Sequence, residues 1–246
     1  MDNLIHHKEQ NGILTITLNR FEKKNALTGD MYMQLCHLFN YASKTSSVHC
    51  VVIQGDDQCF CAGNDLQDFL ACQEGEELAA FTFVQTLAAF DKPLVAAVAG
   101  PAVGIGTTLL LHADIVVASP NSKFALPFSQ IGLCPEAGSS ALLTQLVGHV
   151  KAFELLVIGQ TFSAEKALAL NLITEVISSD ELLDKAQTYA ETIAALPHDA
   201  VLTSRRLLKE ANQSLVKKAM ASEFDAFSRL MQTDECKSIL SKFLSK

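Results

Sequence analysis

Tryptophan is absent from this 246-residue chain, tyrosine occurs three times, and aromatic residues amount to only 7%. So little flat aromatic surface leaves few platforms on which nucleobases could stack. Positive charge is scarce as well. The 27 Asp and Glu outnumber 19 Lys and Arg, and a net charge of −8 weighs against a polyanion, so no nucleic acid is expected. No apolar run approaches the roughly 20 residues a transmembrane helix needs, so no membrane association is expected. The seven His and seven Cys follow no metal-ligand spacing, and no metal is expected. A charged-then-apolar leader is missing from the N-terminus, and Cys59 and Cys61 are too close in an extended turn to bridge; the cysteines read as reduced thiols and the location as cytoplasmic. The C-terminal Ser245-Lys246 resembles a peroxisomal address without its final Leu. A Walker A pattern and a Gly-x-Ser-x-Gly elbow are absent, and Gly104-Ile105-Gly106 has Leu109 where a dinucleotide fingerprint needs its third glycine. Cys134 and His112 read as packed core groups, and His6 and His7 as frayed or exposed.

What is present is a globular composition, 49% hydrophobic and 19% charged. Residues 12–18 alternate as a half-buried strand with Leu14, Ile16 and Leu18 on one face. Asn19 to Asn25 is a polar loop whose Arg20, Lys23 and Lys24 make either an exposed turn or a grip on phosphate. Thr28 starts a helix with the stripe Met31, Leu35, Leu38, Phe39 and Ala42. His49–Gln54, Leu94–Val98 and Asp114–Ala118 read as buried strands and Lys123–Ala125 as a short one. Glu76–Phe90 reads as a helix with Leu78, Phe81, Val84, Leu87 and Ala88 inward, and Thr107–His112 as another. Recurrence at roughly 40 residues makes an α/β protein, either a doubly wound sheet or a coil of strand–strand–helix units. Past Ile177 only helices are predicted: Leu182–Leu196, Ala200–Ala211, Leu215–Met231 and Glu235–Phe243. The stripe Phe224, Phe227, Leu230 and Met231 needs cover from its own body or from another subunit. From Asp199 onward nine Lys and Arg face six Asp and Glu, a net of +3 that leaves −11 for the rest; this is a solvated helical face or a hold on a small phosphorylated ligand.

Three short stretches have the residue types for chemistry. Phe60-Cys61-Ala62-Gly63-Asn64-Asp65 and Gly100-Pro101-Ala102-Val103-Gly104-Ile105-Gly106 are small-residue turns after apolar strands, suited to leaving N–H groups unpaired for an oxyanion. Pro135-Glu136-Ala137-Gly138 sets a carboxylate among small and apolar residues. Glu136 is either a first-turn glutamate at a helix start or a base raised by an apolar pocket, and Asp65 either caps the helix that begins at Leu66 or borders a site.

These motifs resemble those of the crotonase (enoyl-CoA hydratase/isomerase) superfamily over almost the whole chain. Phe60 to Leu66 is similar to the first signature. Gly100 to Gly106 with Ala113-Asp114-Ile115 is similar to the second, Asn19-Arg20 with Lys24-Asn25-Ala26-Leu27 to the N-terminal loop, and Ser163 to Ile173 to the later region. The resemblance implies a crotonase-like spiral of strand–strand–helix repeats over 1–195. It implies a helical C-terminal region, 196–246, that takes part in trimerisation and covers the acyl-CoA site. It further implies an acyl-CoA thioester as substrate with no separate cofactor, and a homotrimer or dimer of trimers. By position the oxyanion donors fall on Ala62 and Ile105. Lys24, Ala26, Leu27, Gly63, Asn64, Asp65, Leu66, Gly104 and Phe128 fall on the substrate and CoA side, with the Ala26 and Leu27 backbone turned toward the ligand. Ile131, Phe128, Leu133 and the helix after Glu76 are expected to line the acyl tail. The two glutamates of the hydratases are replaced here by Thr108 and Phe128. The context of Glu136 resembles the peroxisomal-type Δ3,Δ2-enoyl-CoA isomerases, which implies a single-base double-bond shift.

Overall fold

The computed structural model describes residues 4–71 and 78–244. Strands β1 (Ile5–Gln10) and β2 (Ile13–Leu18) form an antiparallel hairpin. Its turn residues Asn11 and Gly12 both have positive φ, 53° and 78°, the primed-turn geometry that matches strand twist. β1 escapes sequence detection because only Ile5 is buried and no apolar alternation marks it; His6 and His7 are exposed but held in the ladder.

Helix α1 (Gly29–Lys44) begins at Thr28, whose side chain accepts from the Met31 N–H, and buries all five stripe residues along with Tyr32 and Cys36. Then follow β3 (Cys50–Gln54), α2 (Leu66–Ala71), α3 (Ala79–Ala89), β4 (Leu94–Val98), β5 (Pro101–Val103), the single turn α4 (Ile105–Thr108) with a 3-10 turn at Leu109–His112, β6 (Ile115–Ala118) and β7 (Lys123–Ala125). The predicted start of the third helix at Glu76 lies outside the described residues. Its inward face is Phe83, Val84 and Leu87, whereas Phe81 turns toward the C-terminal aromatic residues Phe224 and Phe227.

The main sheet runs β1-β2-β3-β4-β6-β9, with β9 at Glu175–Val176, and is parallel from β2 onward. A second sheet runs β5-β7-β8, with β8 at Phe162–Ser163, and a parallel bridge from Cys61 to Ala102 extends it by one step. Each turn therefore spends one strand in the large sheet and one short strand in the small sheet before its helix. This is the strand–strand–helix coil, and the doubly wound alternative is excluded. The repeat is uneven, with strands opening at Cys50, Leu94 and Ile115, so no single spacing describes it. Both faces of the large sheet are covered, which explains its near-continuous apolar strands. Leu14, Ile16, Val51, Ile53 and Ala96 face the main core with α1 and α3. Ile13, Val52, Val95 and Val117 meet Leu182, Ala186 and Ala190 of a later helix on the other side.

Beyond the second sheet lie α5 (Ser139–Val147), α6 (His149–Phe153), α7 (Ala164–Ala169), α8 (Leu182–Ala194), α9 (His198–Met231) and α10 (Asp234–Leu244). α9 is one helix of 34 residues where the sequence suggested two. The polar stretch Asn212-Gln213-Ser214 weakens the apolar stripe, but it holds no Pro or Gly to break the backbone ladder. The stripe on α9 is covered by its own chain: Phe227 and Met231 pack with Phe69 of α2, Leu133, and Cys236 and Leu240 of α10.

Candidate active site

The first small-residue turn is fixed by a loop laid across it. Asn25, fully buried, donates from Nδ2 to the Cys59 and Phe60 carbonyls (3.0 and 3.1 Å) and accepts at Oδ1 from the Arg20 N–H (2.8 Å). Leu27 pairs with Asn64 as one parallel bridge. The Leu27 N–H donates to Gly63 O (2.8 Å), and the Asp65 N–H donates to Leu27 O (2.9 Å). On the other edge the Cys61 N–H donates to Pro101 O (3.0 Å) and the Val103 N–H to Cys61 O (2.9 Å). Two glycines let the turns touch: a Cβ on Gly106 would lie 2.5 Å from the Cys61 carbonyl, and Gly63, at φ +103°, faces Val103 O.

Every backbone donor must go somewhere, and counting them corrects the sequence reading. Ala62 does not offer a free N–H, because it donates to Lys24 O (2.9 Å). The register of the Leu27 bridge turns the N–H of Asn64 the other way, and that N–H meets no protein acceptor among the described residues. Asn64 is thus the open donor of this turn. Small-residue composition alone did not reveal it, since the deciding fact is which neighbour each N–H faces. Ile105 keeps its predicted state. It is the first residue of α4, and its N–H has no acceptor among the described residues, while the Thr107 and Thr108 N–H groups both close on Gly104 O (2.9 Å each). With only one turn behind it, Ile105 offers a local donor more than a macrodipole.

Glu136 lies three residues before α5, not in its first turn. Its loop is left-handed at Ala137 (φ 60°) and Gly138 (φ 71°). The α5 N-terminus is instead occupied by Glu223 of α9, whose carboxylate accepts from the Gly138 N–H (2.7 Å) and the Ser140 N–H (2.9 Å). Sequence reading missed Glu223; an acid on a distant helix has no local signature. Glu136 itself is buried and, among the described residues, accepts one hydrogen bond, from Thr108 Oγ1 at 2.5 Å. Burial pushes its carboxyl up to about 8. The Thr108 hydroxyl works against that rise, and the like charge of Glu223 adds to it. The pocket therefore wins over any helix-dipole effect at Glu136. Thr108→Val, which removes the one donor opposing burial, is expected to move the pH of half-maximal activity upward; a profile unchanged within 0.2 units (about 0.3 kcal/mol) would mean that the hydroxyl does not stabilise the charged form.

Next to this group, Tyr32 is buried and donates its hydroxyl to Asn64 Oδ1. His112 Nε2 donates to Ala137 O (2.8 Å); burial holds its pKa down to about 4, so the ring is neutral and fixed as the core residue the sequence suggested.

The remaining predicted positions divide. Asp65 caps α2 through the Gln67 N–H (2.9 Å) and pairs with Arg20 Nη1 (2.7 Å). Its burial pushes the carboxyl up, but the Arg20 and backbone donors outweigh that and hold it low. The Ala26 and Leu27 backbone groups are engaged within the protein. Ala26 donates to Lys23 O (3.0 Å) and accepts from Arg20 Nη1 (2.9 Å), and both Leu27 groups bind the Gly63–Asp65 turn. Lys24 is exposed, and Gly104 has open space where a Cβ would stand. Leu66, Ile131 and Leu133 pack with the C-terminal helices, and Phe128 belongs to the main core. A cavity of about 1040 Å³ between α3, the Leu109–His112 turn and α9 is lined by Phe81, Val84, Leu111, Met220 and Phe224, with Glu136 in its wall. Of the positions expected to line the acyl tail, α3 faces this cavity, whereas Phe128, Ile131 and Leu133 are not in its lining. Among the described residues no helix is long and apolar enough to cross a membrane.

Comparison with known proteins places this arrangement. The sequence model described as enoyl-CoA hydratase/isomerase matches residues 8–246. Enoyl-CoA delta isomerase 2 of Rattus norvegicus is 34% identical over 96% of this chain, which spans 62% of that protein's length. The 2,3-dehydroadipyl-CoA hydratase of Escherichia coli K12 is 32% identical over 100% of this chain and 97% of its own. The solved structure of OdaA from Pseudomonas aeruginosa superposes with a TM-score of 0.96 at 40% identity, covering 100% of both chains. The chain belongs to the enoyl-CoA hydratase/isomerase family, the crotonase superfamily, and has its fold.

Proposed function

We propose that the chain is an enoyl-CoA isomerase that shifts a 3-enoyl-CoA double bond to the 2-trans position, with Glu136 as its single proton-transfer group. The carrying observation is one buried carboxyl raised to about 8, in a site where the hydratase acid positions hold Thr108 and Phe128. Ionised Glu136 takes a proton from C2 of the acyl-CoA. The electrons of that C–H bond move into a dienolate, whose oxygen is held by the N–H groups of Asn64 and Ile105. The carboxyl then returns the proton to C4, restoring the carbonyl and leaving the double bond between C2 and C3. One preorganised donor of this kind contributes about 3–4 kcal/mol to the transition state. A base with a pKa near the working pH serves both transfers, since it must accept a proton and give it up.

Exposed Lys23 and Lys24 suit the phosphates of coenzyme A, and the chemistry needs no other cofactor. The reaction fits fatty-acid β-oxidation, where unsaturated chains need conjugation. A trimer, single or paired, would cover the exposed apolar residues Leu146, Val150, Phe153, Val157 and Ile158. The deciding assay offers 3-enoyl-CoA and 2-enoyl-CoA separately. Conjugation of the first without hydration of the second is expected. Hydration of the second at a comparable rate would point to the hydratase reaction named for relatives, and binding without turnover of either would point to an acyl-CoA-binding protein.

A further inference from the structure

We propose that Glu223 of α9 is a positioning residue for Glu136, which makes placement of the base conditional on docking of the C-terminal region; this rests on the reading of Glu136 as the proton-transfer group. Glu223 is buried, and its two carboxylate oxygens hold the Gly138 and Ser140 N–H groups at 2.7 and 2.9 Å. No Lys, Arg or His forms an ion pair with it among the described residues. A buried carboxylate held only by backbone donors is a costly way to cap a helix. Position 138, at the N-cap of α5, is a left-handed glycine without a side-chain cap. The cap comes instead from 85 residues away.

The segment so clamped bears the base. Ala137 adopts a left-handed backbone, which a residue with a Cβ holds only when its surroundings over-determine it. Thr108 holds Glu136 from one side, His112 holds the Ala137 carbonyl from another, and Glu223 holds both N–H groups that flank Ser139. Only the last of these anchors comes from outside the spiral. α9 supports it with Val216 and Met220, which would meet a Cβ on Gly138 at 3.0 and 3.4 Å, and with the Glu223 carbonyl, which accepts from Cys134 Sγ at 3.8 Å. Among the described residues, the titratable groups that act on Glu136 or are acted on by it are Tyr32 from α1, Cys134 from its own loop and Glu223 from α9; the cationic Lys209 donates to His112 O and lies 3.9 Å from Asp114 Oδ1, beyond the neutral imidazole. The charge of Glu223 adds to burial, the larger cause, in making Glu136 harder to ionise.

Two variants separate reach from charge. Glu223→Gln keeps the length, removes the charge and points an amide donor at a backbone donor. Its kcat on 3-enoyl-CoA is expected to fall about 10- to 100-fold, the usual effect of misplacing a reacting group, with KM within about 3-fold, and the acid limb of its pH profile is expected to move down. Glu223→Asp keeps the charge but withdraws it; kcat falls while the acid limb stays near the parent position. Thermal unfolding and binding of 2-enoyl-CoA are measured on both. A merely structural glutamate would lower the melting temperature without moving the acid limb, and that result overturns the proposal. So does unchanged kcat in both variants, or loss of 2-enoyl-CoA binding along with turnover. Full turnover in Glu136→Gln would instead sink the reading of the base itself.

Discussion

Glu136→Gln is expected to lower isomerisation of 3-enoyl-CoA by roughly 10³-fold or more, while acyl-CoA binding changes by no more than a few-fold. A single general acid–base group typically contributes about 10² to 10⁴ in rate. In the proposed reaction one carboxyl performs both the abstraction at C2 and the return at C4, so the loss belongs at the upper end. The substitution is gentle to the fold. Glutamine keeps an oxygen for the Thr108 hydroxyl, the Glu136 carbonyl still accepts from the Ser139 N–H (3.0 Å), and the Glu223 clamp is untouched. Steady-state rates with 3-enoyl-CoA and a binding isotherm with the 2-enoyl product check the two halves. Retention of more than a tenth of the turnover would place the base elsewhere.

The same variant has a stability signature with a definite sign. Glu136 ionises near 8 in the folded chain against a reference of 4.5. The folded chain holds this proton more tightly than the unfolded chain does. Its contribution is thus fully present below pH 4.5 and is lost as pH rises through 8. Above that, the native protein carries a buried charge, a loss of a few kcal/mol at about 1.4 kcal/mol per pH unit. Glu136→Gln should match the parent in acid denaturant titrations and exceed it in stability at pH 9. Equal stability at both pH values would mean that the carboxyl is not desolvated as its surroundings imply. Activity should fall with decreasing pH below about 8, because only the ionised form abstracts a proton.

How much of this was legible in the sequence depends on how local each cause is. The buried strands, the α1 stripe and the Thr28 cap were readable because period and capping residue sit within one element. The small-residue turns were readable as turns, and Gly63 and Gly106 show why composition is constrained there. The donor inside the first turn was not readable. Choosing between Ala62 and Asn64 requires knowing that Lys24 O faces one N–H and that Leu27 pairs away from the other. Glu136 was legible as a carboxyl in an apolar pocket, which its burial bears out, while the alternative of a first-turn glutamate fails because the helix start after Pro135 belongs to Glu223. β1 carried no apolar alternation, and the continuity of α9 through Asn212-Gln213-Ser214 depended on the absence of a breaker more than on any positive signal.

Arg205→Ala is expected to destabilise the protein by about 3 kcal/mol, the lower end of the usual cost of breaking a buried ion pair from one side. Arg205 is buried on α9, and its Nε donates to Asp114 Oδ2 at 2.7 Å while Nη1 donates to the Phe90 carbonyl at 2.7 Å. The guanidinium also lies over the Phe90 ring, 5.9 Å from its centroid. Alanine leaves Phe90 O without that donor and Asp114 without its close cation. The cost stays at the lower end because Asp114 keeps the Leu94 N–H (2.8 Å), has its side chain 25% exposed, and has Lys209 Nζ at 3.9 Å. Arg205→Met retains the stem's packing and should recover part of the loss, which separates packing from charge. The consequence reaches the active site because α9 carries both this anchor and the Glu223 clamp. Arg205 anchors its first part, and Glu223 with Phe227 and Met231 anchors its last, while much of 206–222 between them is exposed, including Leu207 and Leu208. With the first anchor gone, limited proteolysis should cut first within that exposed span, and isomerase turnover should fall as the Glu223 clamp loosens. A Tm within 1 °C of the parent (well under 1 kcal/mol) together with unchanged cleavage would show that α9 is held by its apolar end alone.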